Sequence, residues 1–157
     1  KIAFFEKKSR FLSCKKEINN DRALLIFNND TYFKSIRLKS RLLSMRNQKI
    51  DGILGIFNSK DPKYSFVEID NDDKVIRTKE KKVISNFAST GMYIFSKGSD
   101  FIKSAEYAIE KNILTKNEFY ISELYNILIK EGKKITVDVA DEFVALGTPE
   151  DIKKFEA

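Results

Sequence analysis

Ala23-Leu24-Leu25-Ile26-Phe27 is a continuous apolar run of strand length that stops abruptly at Asn28-Asn29-Asp30-Thr31. An uninterrupted run of this kind fits a strand with both faces covered, as in a parallel sheet flanked by helices. Its polar end then marks the carboxyl edge of the sheet, where open α/β folds place their ligands. Gly52 to Phe57 repeats the pattern as a second buried strand.

Around these two runs the other segments alternate in period. Ile2 to Phe5 reads as a short strand, and Phe11 to Ile18 has helical spacing before the break at Asn19-Asn20-Asp21. Tyr32 to Met45 carries apolar residues at 33, 36, 38, 42, 43 and 45 with bases between, an amphipathic helix. Tyr64 to Ile69 and Lys74 to Thr78 flank Asp70-Asn71-Asp72-Asp73 and predict a hairpin. Met92 to Phe95 is a strand, Ser99 to Lys111 and Ile121 to Glu131 are helices, and Lys134 to Val139 is a strand. Thr148-Pro149-Glu150-Asp151 opens a last helix, with Thr as cap, Pro in the first position and acids in the first turn. The expected fold is α/β, a Rossmann-like mixed sheet flanked by helices with an inserted antiparallel hairpin. At 157 residues it is one domain or part of one.

Composition narrows the chemistry. With no His and a single cysteine, Cys14, thiolate and imidazole metal sites are excluded, so a metal would need oxygen ligands. The net charge of +6 is spread as single bases and short pairs among acids, without the stripe expected of a nucleic-acid binder. No apolar run approaches the length of a membrane span, and no leader pattern is present, so neither membrane nor nucleic acid is an expected partner. The expected location is the cytoplasm.

Four segments carry candidate chemistry. Asp30, just past a buried strand, can reach a divalent ion bridging phosphate oxygens, or can cap a following helix. Glu80 and Lys81 suit hydroxyls and a phosphate, or form a solvated pair. Asn117 to Asn126 is a helix start with Asn117 or Ser122 as cap. Phe143 to Thr148 precedes the last helix.

In this order the segments resemble the nucleotidyltransferase family that makes nucleotide sugars. Asn28-Asn29-Asp30 is similar to the family's Mg²⁺-binding Asn-x-Asp, and Glu80-Lys81 to its Glu-Lys pair. Ser85, Asn86, Ala88, Thr90, Gly91 and Tyr93 match a Ser-Asn-x-Ala-x-Thr-Gly-x-Tyr segment. Asn117 to Asn126 loosely matches a Gly-Glu-x-Glu-Ile-Thr-Asp-x-Asn helix start, and Gly147-Thr148-Pro149 matches a Gly-Thr-Pro. Asp61-Pro62-Lys63-Tyr64-Ser65 and its hairpin look most like the bacterial capsule and lipopolysaccharide branch.

The resemblance implies a nucleotidylyltransferase that joins a nucleoside triphosphate to a sugar 1-phosphate or similar small phosphate ester and releases pyrophosphate. It implies Mg²⁺ on Asp30, the substrate phosphate on Lys81, substrate hydroxyls on Glu80, and Asn86, Thr90, Gly91 and Glu118 around the substrate. The family's second metal-binding Asp falls at Ala145, which leaves Asp141 as its nearest substitute. The glycine-rich triphosphate loop has no counterpart before Asp30, where there is no Gly. Residues 1–157 are therefore expected to form a single partial domain lacking its N-terminal triphosphate-binding part. A non-catalytic module for nucleotide sugars or phosphate metabolites and a metal-dependent glycosyltransferase are the alternatives, and a homo-oligomer is compatible with either.

Overall fold

The structure, a computed structural model, describes residues 14–156. The candidate strand Ile2 to Phe5 lies outside the described residues, and of Phe11 to Ile18 only the one-turn helix α1 (Lys15–Ile18) falls within them. Strand β1 (Leu24–Phe27) is followed by β2 (Thr31–Lys34), helix α2 (Leu38–Asn47) and strand β3 (Gly52–Asn58). Strands β4 (Ser65–Ile69) and β5 (Val75–Glu80) form the expected hairpin. Asp70 Oδ1 closes its turn by accepting the N–H groups of Asp72 and Lys74, both at 2.9 Å. Strand β6 (Phe87–Phe95), helices α3 (Gly98–Glu110) and α4 (Ile121–Lys130), strands β7 (Ile135–Val139) and β8 (Glu142–Ala145), and helix α5 (Pro149–Glu156) complete the chain.

Five strands follow in the order β5, β4, β6, β3, β7, and β1 joins the same sheet through β6. Among the described residues only β3 and β7 pair in parallel; β1 and β6, β3 and β6, β4 and β5, and β4 and β6 are antiparallel. Strand β3 explains its own uninterrupted apolar run. Ile53 faces α2 with Met45, Met92 and Ile94, whereas Leu54 faces the larger core with Phe95, Phe101, Leu124 and Tyr125. A strand sandwiched between two cores has no polar face.

Two expectations need correction. The run ending at Phe27 is covered on one face among the described residues and pairs antiparallel: Leu24 and Ile26 pack on the core, while Leu25 is 60% and Phe27 41% exposed. The segment Tyr32 to Met45 is not one helix. Its first residues form β2, which pairs antiparallel with β8 in a separate two-stranded sheet, and the helix starts only at Leu38. Helical spacing at 33, 36 and 38 was coincidental, because Phe33 packs toward Met45 from a strand.

Candidate functional site

A cleft of about 340 Å³ opens where β1, β6 and the β4–β5 hairpin meet the β2–β8 pair and the start of α4. Its base is the middle of β6, with Ser89, Thr90, Gly91 and Tyr93. Strand β6 extends further back than Met92, because the small polar residues Ser89 and Thr90 are buried, at 6% and 1% exposure, instead of forming a loop.

Gly91 explains how β6 turns toward the cleft. Its φ is +86°, and a Cβ there would lie 2.6 Å from Asn28 Nδ2. The Asn28 N–H donates to the Gly91 carbonyl at 3.1 Å, and the Thr31 hydroxyl donates to the Thr90 carbonyl at 3.2 Å. These bonds hold the Asn28–Thr31 turn against β6 and carry Asp30 into the cleft wall. No helix follows Asp30, so it is not a helix cap; its carbonyl accepts the Leu146 N–H at 2.8 Å. The bond brings β8 and Gly147 alongside, and a Cβ at Gly147 would lie 3.7 Å from Asp30 Oδ2.

Glu80 reaches the cleft from the last residue of β5 and is only 7% exposed. Ser65 and Ser122 both donate to its Oε2, the latter at 3.2 Å. Burial raises its pKa, and the two serine hydroxyls work against that rise. Neighbouring Tyr93 is pushed up to about 12, again by burial. Ser122 is thus committed to Glu80, and the cap position of α4 is Tyr120, with no side-chain cap bond.

Lys81 stands at the rim and does not line the cleft. Its backbone is left-handed, with φ +51°, and its Nζ donates to the Tyr120 hydroxyl at 2.8 Å. Tyr120 in turn donates to Glu118. The Tyr120 hydroxyl beside it holds the Lys81 ammonium above the usual lysine range. Glu118 is therefore one residue removed from the cleft.

Of the other candidates, Thr90 and Gly91 line the cleft, but Asn86 and Asp141 do not. Asn86 is exposed and its carbonyl accepts the Ser59 N–H at 3.0 Å. Asp141 accepts the Ile36 N–H at 2.8 Å and stands 3.8 Å from Arg37.

The cleft also contains residues that the sequence did not single out as ligands. Asp151 enters from the first turn of α5, whose start is capped as expected by Thr148, accepting the Asp151 N–H at 3.1 Å. Tyr64 and Phe143 form an aromatic wall. Phe143 stacks on Phe57 at 3.7 Å between centroids, and Tyr64 stands edge-on to both. Asp151 read as an ordinary helix-terminal acid, and nothing local marked it out.

Asp30, in one turn with Asn28 and Thr31, provides hard oxygen donors suited to a small divalent cation. Among the described residues no three acids, cysteines or histidines converge on one point, so such an ion would keep waters or substrate oxygens in its shell.

A family model described as nucleotidyl transferase matches residues 10–154, nearly the whole chain. The chain belongs to the nucleotidyl transferase family. Among solved structures, a nucleoside-diphosphate-sugar pyrophosphorylase from Vibrio cholerae RC9 is 27% identical with a TM-score of 0.75, over 90% of this chain and 59% of that one. A UDP-glucose pyrophosphorylase in its apo form is 18% identical with a TM-score of 0.70, over 92% and 56% respectively, and shares the fold. A search of curated proteins found no match. This nucleotidyl transferase chain thus spans about three fifths of the length of the structures it resembles. No described helix is long and apolar enough to cross a membrane.

Proposed function

We propose that this chain forms the acceptor side of a nucleotidylyltransferase. In the reaction an oxygen of a small phosphate ester attacks the α-phosphorus of a nucleoside triphosphate, the α–β phosphoanhydride bond breaks, and pyrophosphate leaves. The glycine-rich loop for the triphosphate would come from residues outside this chain, in keeping with its share of the related structures. The observation that carries the reading is the convergence of Asp30, Glu80, Thr90 and Gly91, from three separate segments, on one cleft in a chain of this family.

Such chemistry needs alignment and charge neutralisation more than an acid–base residue, which suits a chain without His. Asp30 would hold Mg²⁺, which when bound would supply charge neutralisation for the phosphates, and Asp141, which does not line the cleft, is not placed to assist it there. Glu80 receives hydrogen-bond donors of the acceptor, and Lys81 with Tyr120 and Glu118 edges the pocket where the ester phosphate enters. Gly91 and Thr90 let the acceptor approach the backbone of β6. Asn86 supports this strand from outside the cleft. A place in nucleotide-sugar supply for surface polysaccharide in the cytoplasm is the setting we favour, on the Asp61–Ser65 resemblance.

The test incubates the full-length protein with Mg²⁺, each of the four triphosphates and a panel of phosphorylated metabolites, and reads pyrophosphate. One productive pair is the expected result. Tight binding of a nucleotide sugar without pyrophosphate release from any pair would instead favour the binding module.

A further inference from the structure

The charge of the cleft is opposite to that of the chain. The chain carries +6, yet among the described residues the cleft is lined by three carboxylates, Asp30, Glu80 and Asp151, and by one base, Lys63. The Lys63 charge is already matched by Asp61, 3.0 Å away and outside the lining. A phosphate ester entering this space adds more negative charge. A divalent ion answers part of that excess near Asp30, but Glu80 reaches the cleft from a different element, the end of β5. Ser65 and Ser122 both donate to its Oε2, and the residue lines the cleft, where it can receive a cationic group of a ligand.

Beside Ile121 and Ala145, the lining carries four aromatic rings: Tyr64, Tyr93, Tyr120 and Phe143. Ring faces attract cations, most strongly where water is excluded. Two of these rings already do so, since Lys63 Nζ lies 4.9 Å from the Tyr64 centroid and Lys81 Nζ 5.2 Å from that of Tyr120. Carboxylates and aromatic faces around one small space form the surroundings that recognise ammonium groups.

Building on the nucleotidylyltransferase reading, we propose that the acceptor is a phosphate ester carrying a positively charged amino or quaternary ammonium group, held by Glu80, Asp151 and the surrounding aromatic rings. A neutral polyol would gain only hydrogen bonds from the carboxylates, and an ester with a second anionic group would be repelled.

The test is calorimetric binding to the full-length protein, in Mg²⁺ at fixed ionic strength, of choline phosphate, ethanolamine phosphate, the neutral choline isostere 3,3-dimethylbutyl phosphate and glucose 1-phosphate. At least one ammonium ester is expected to bind about tenfold or more tighter than both neutral esters. Glu80→Gln or Asp151→Asn is expected to shrink that ratio. Equal or tighter binding of a neutral ester, no binding of either ammonium ester, or a ratio untouched by both substitutions overturns the inference. Pyrophosphate release is read in parallel. Its absence with every triphosphate, alongside a preserved ammonium preference, removes the catalytic reading and leaves this one standing.

Discussion

Asn126 grips Thr78 by both of its backbone polar groups: Asn126 Oδ1 accepts the Thr78 N–H at 2.9 Å, and Asn126 Nδ2 donates to the Thr78 carbonyl at 3.1 Å. A side-chain amide on α4 thus takes the place of a neighbouring strand along the outer edge of β5. Glu123 extends the clamp by accepting the Glu80 N–H at 3.1 Å and an Asn126 Nδ2 hydrogen at 2.8 Å. The strand that presents Glu80 to the cleft is therefore fixed by the helix that also supplies Ser122.

Replacing Asn126 with Leu leaves two polar groups of the fully buried Thr78 without partners. An unsatisfied buried group costs about 1–3 kcal/mol. Urea denaturation is expected to show a loss of about 2 kcal/mol or more, and Asn126→Asp, which keeps the acceptor, a smaller one. A change within about 0.5 kcal/mol for the Leu variant would mean that solvent replaces the clamp.

Gly91→Ala combines a left-handed backbone with a Cβ driven to 2.6–2.9 Å from the Asn28 side chain. The left-handed conformation alone costs about 1–2 kcal/mol for a residue with a Cβ. Thermal unfolding should fall by at least about 3 °C for a chain of this size. An unshifted midpoint would show that the Asn28 turn yields freely.

Lys81 occupies the same backbone region at φ +51° without being glycine. Lys81→Gly relieves that strain but adds unfolded-chain freedom, so stability should stay within about 1 kcal/mol of the parent. Loss of the ammonium at the cleft rim should raise the KM for the phosphate acceptor about tenfold. An unchanged KM would reduce Lys81 to a partner of Tyr120.

Glu80 gives stability a pH dependence of definite sign. Burial raises its folded-state pKa above the usual 4.5, so the folded protein holds this proton more tightly than the unfolded chain. Its contribution is complete below pH 4.5 and is lost as pH rises through the raised folded value. Asp138, buried and bonded through Oδ1 to Ser35, has the same sign for the same reason, starting from 3.8. Denaturation midpoints of Glu80→Gln, compared with the parent across this range, should improve relative to it as pH increases above 4.5. A relative deficit that grows with pH would contradict the burial argument.

Much of this architecture was legible because its signals are local. The Asp70 turn, the Thr148 cap and the buried run at Gly52 to Phe57 announce themselves within a few residues, and Asp30, Glu80, Thr90 and Gly91 stood out in order along the chain. What escaped depends on distant partners. Thr31 to Lys34 is a strand only because Glu142 to Ala145, more than a hundred residues away, pairs with it. Asp151 lines the cleft from a helix whose approach is tied to Asp30, more than a hundred residues earlier, by the Leu146 N–H on the Asp30 carbonyl. Leu25 and Phe27 misled for the opposite reason, since an apolar run does not reveal which of its faces the described residues leave exposed.

We propose that Asp30 and its cleft serve phosphoryl chemistry. Pyrophosphate release by the full-length protein with Mg²⁺ and its productive substrate pair, compared with Asp30→Asn, tests it most directly. The expected result is a fall in kcat of about 10²-fold or more in a variant that remains folded. Release at the parent rate by a folded Asp30→Asn protein would contradict it.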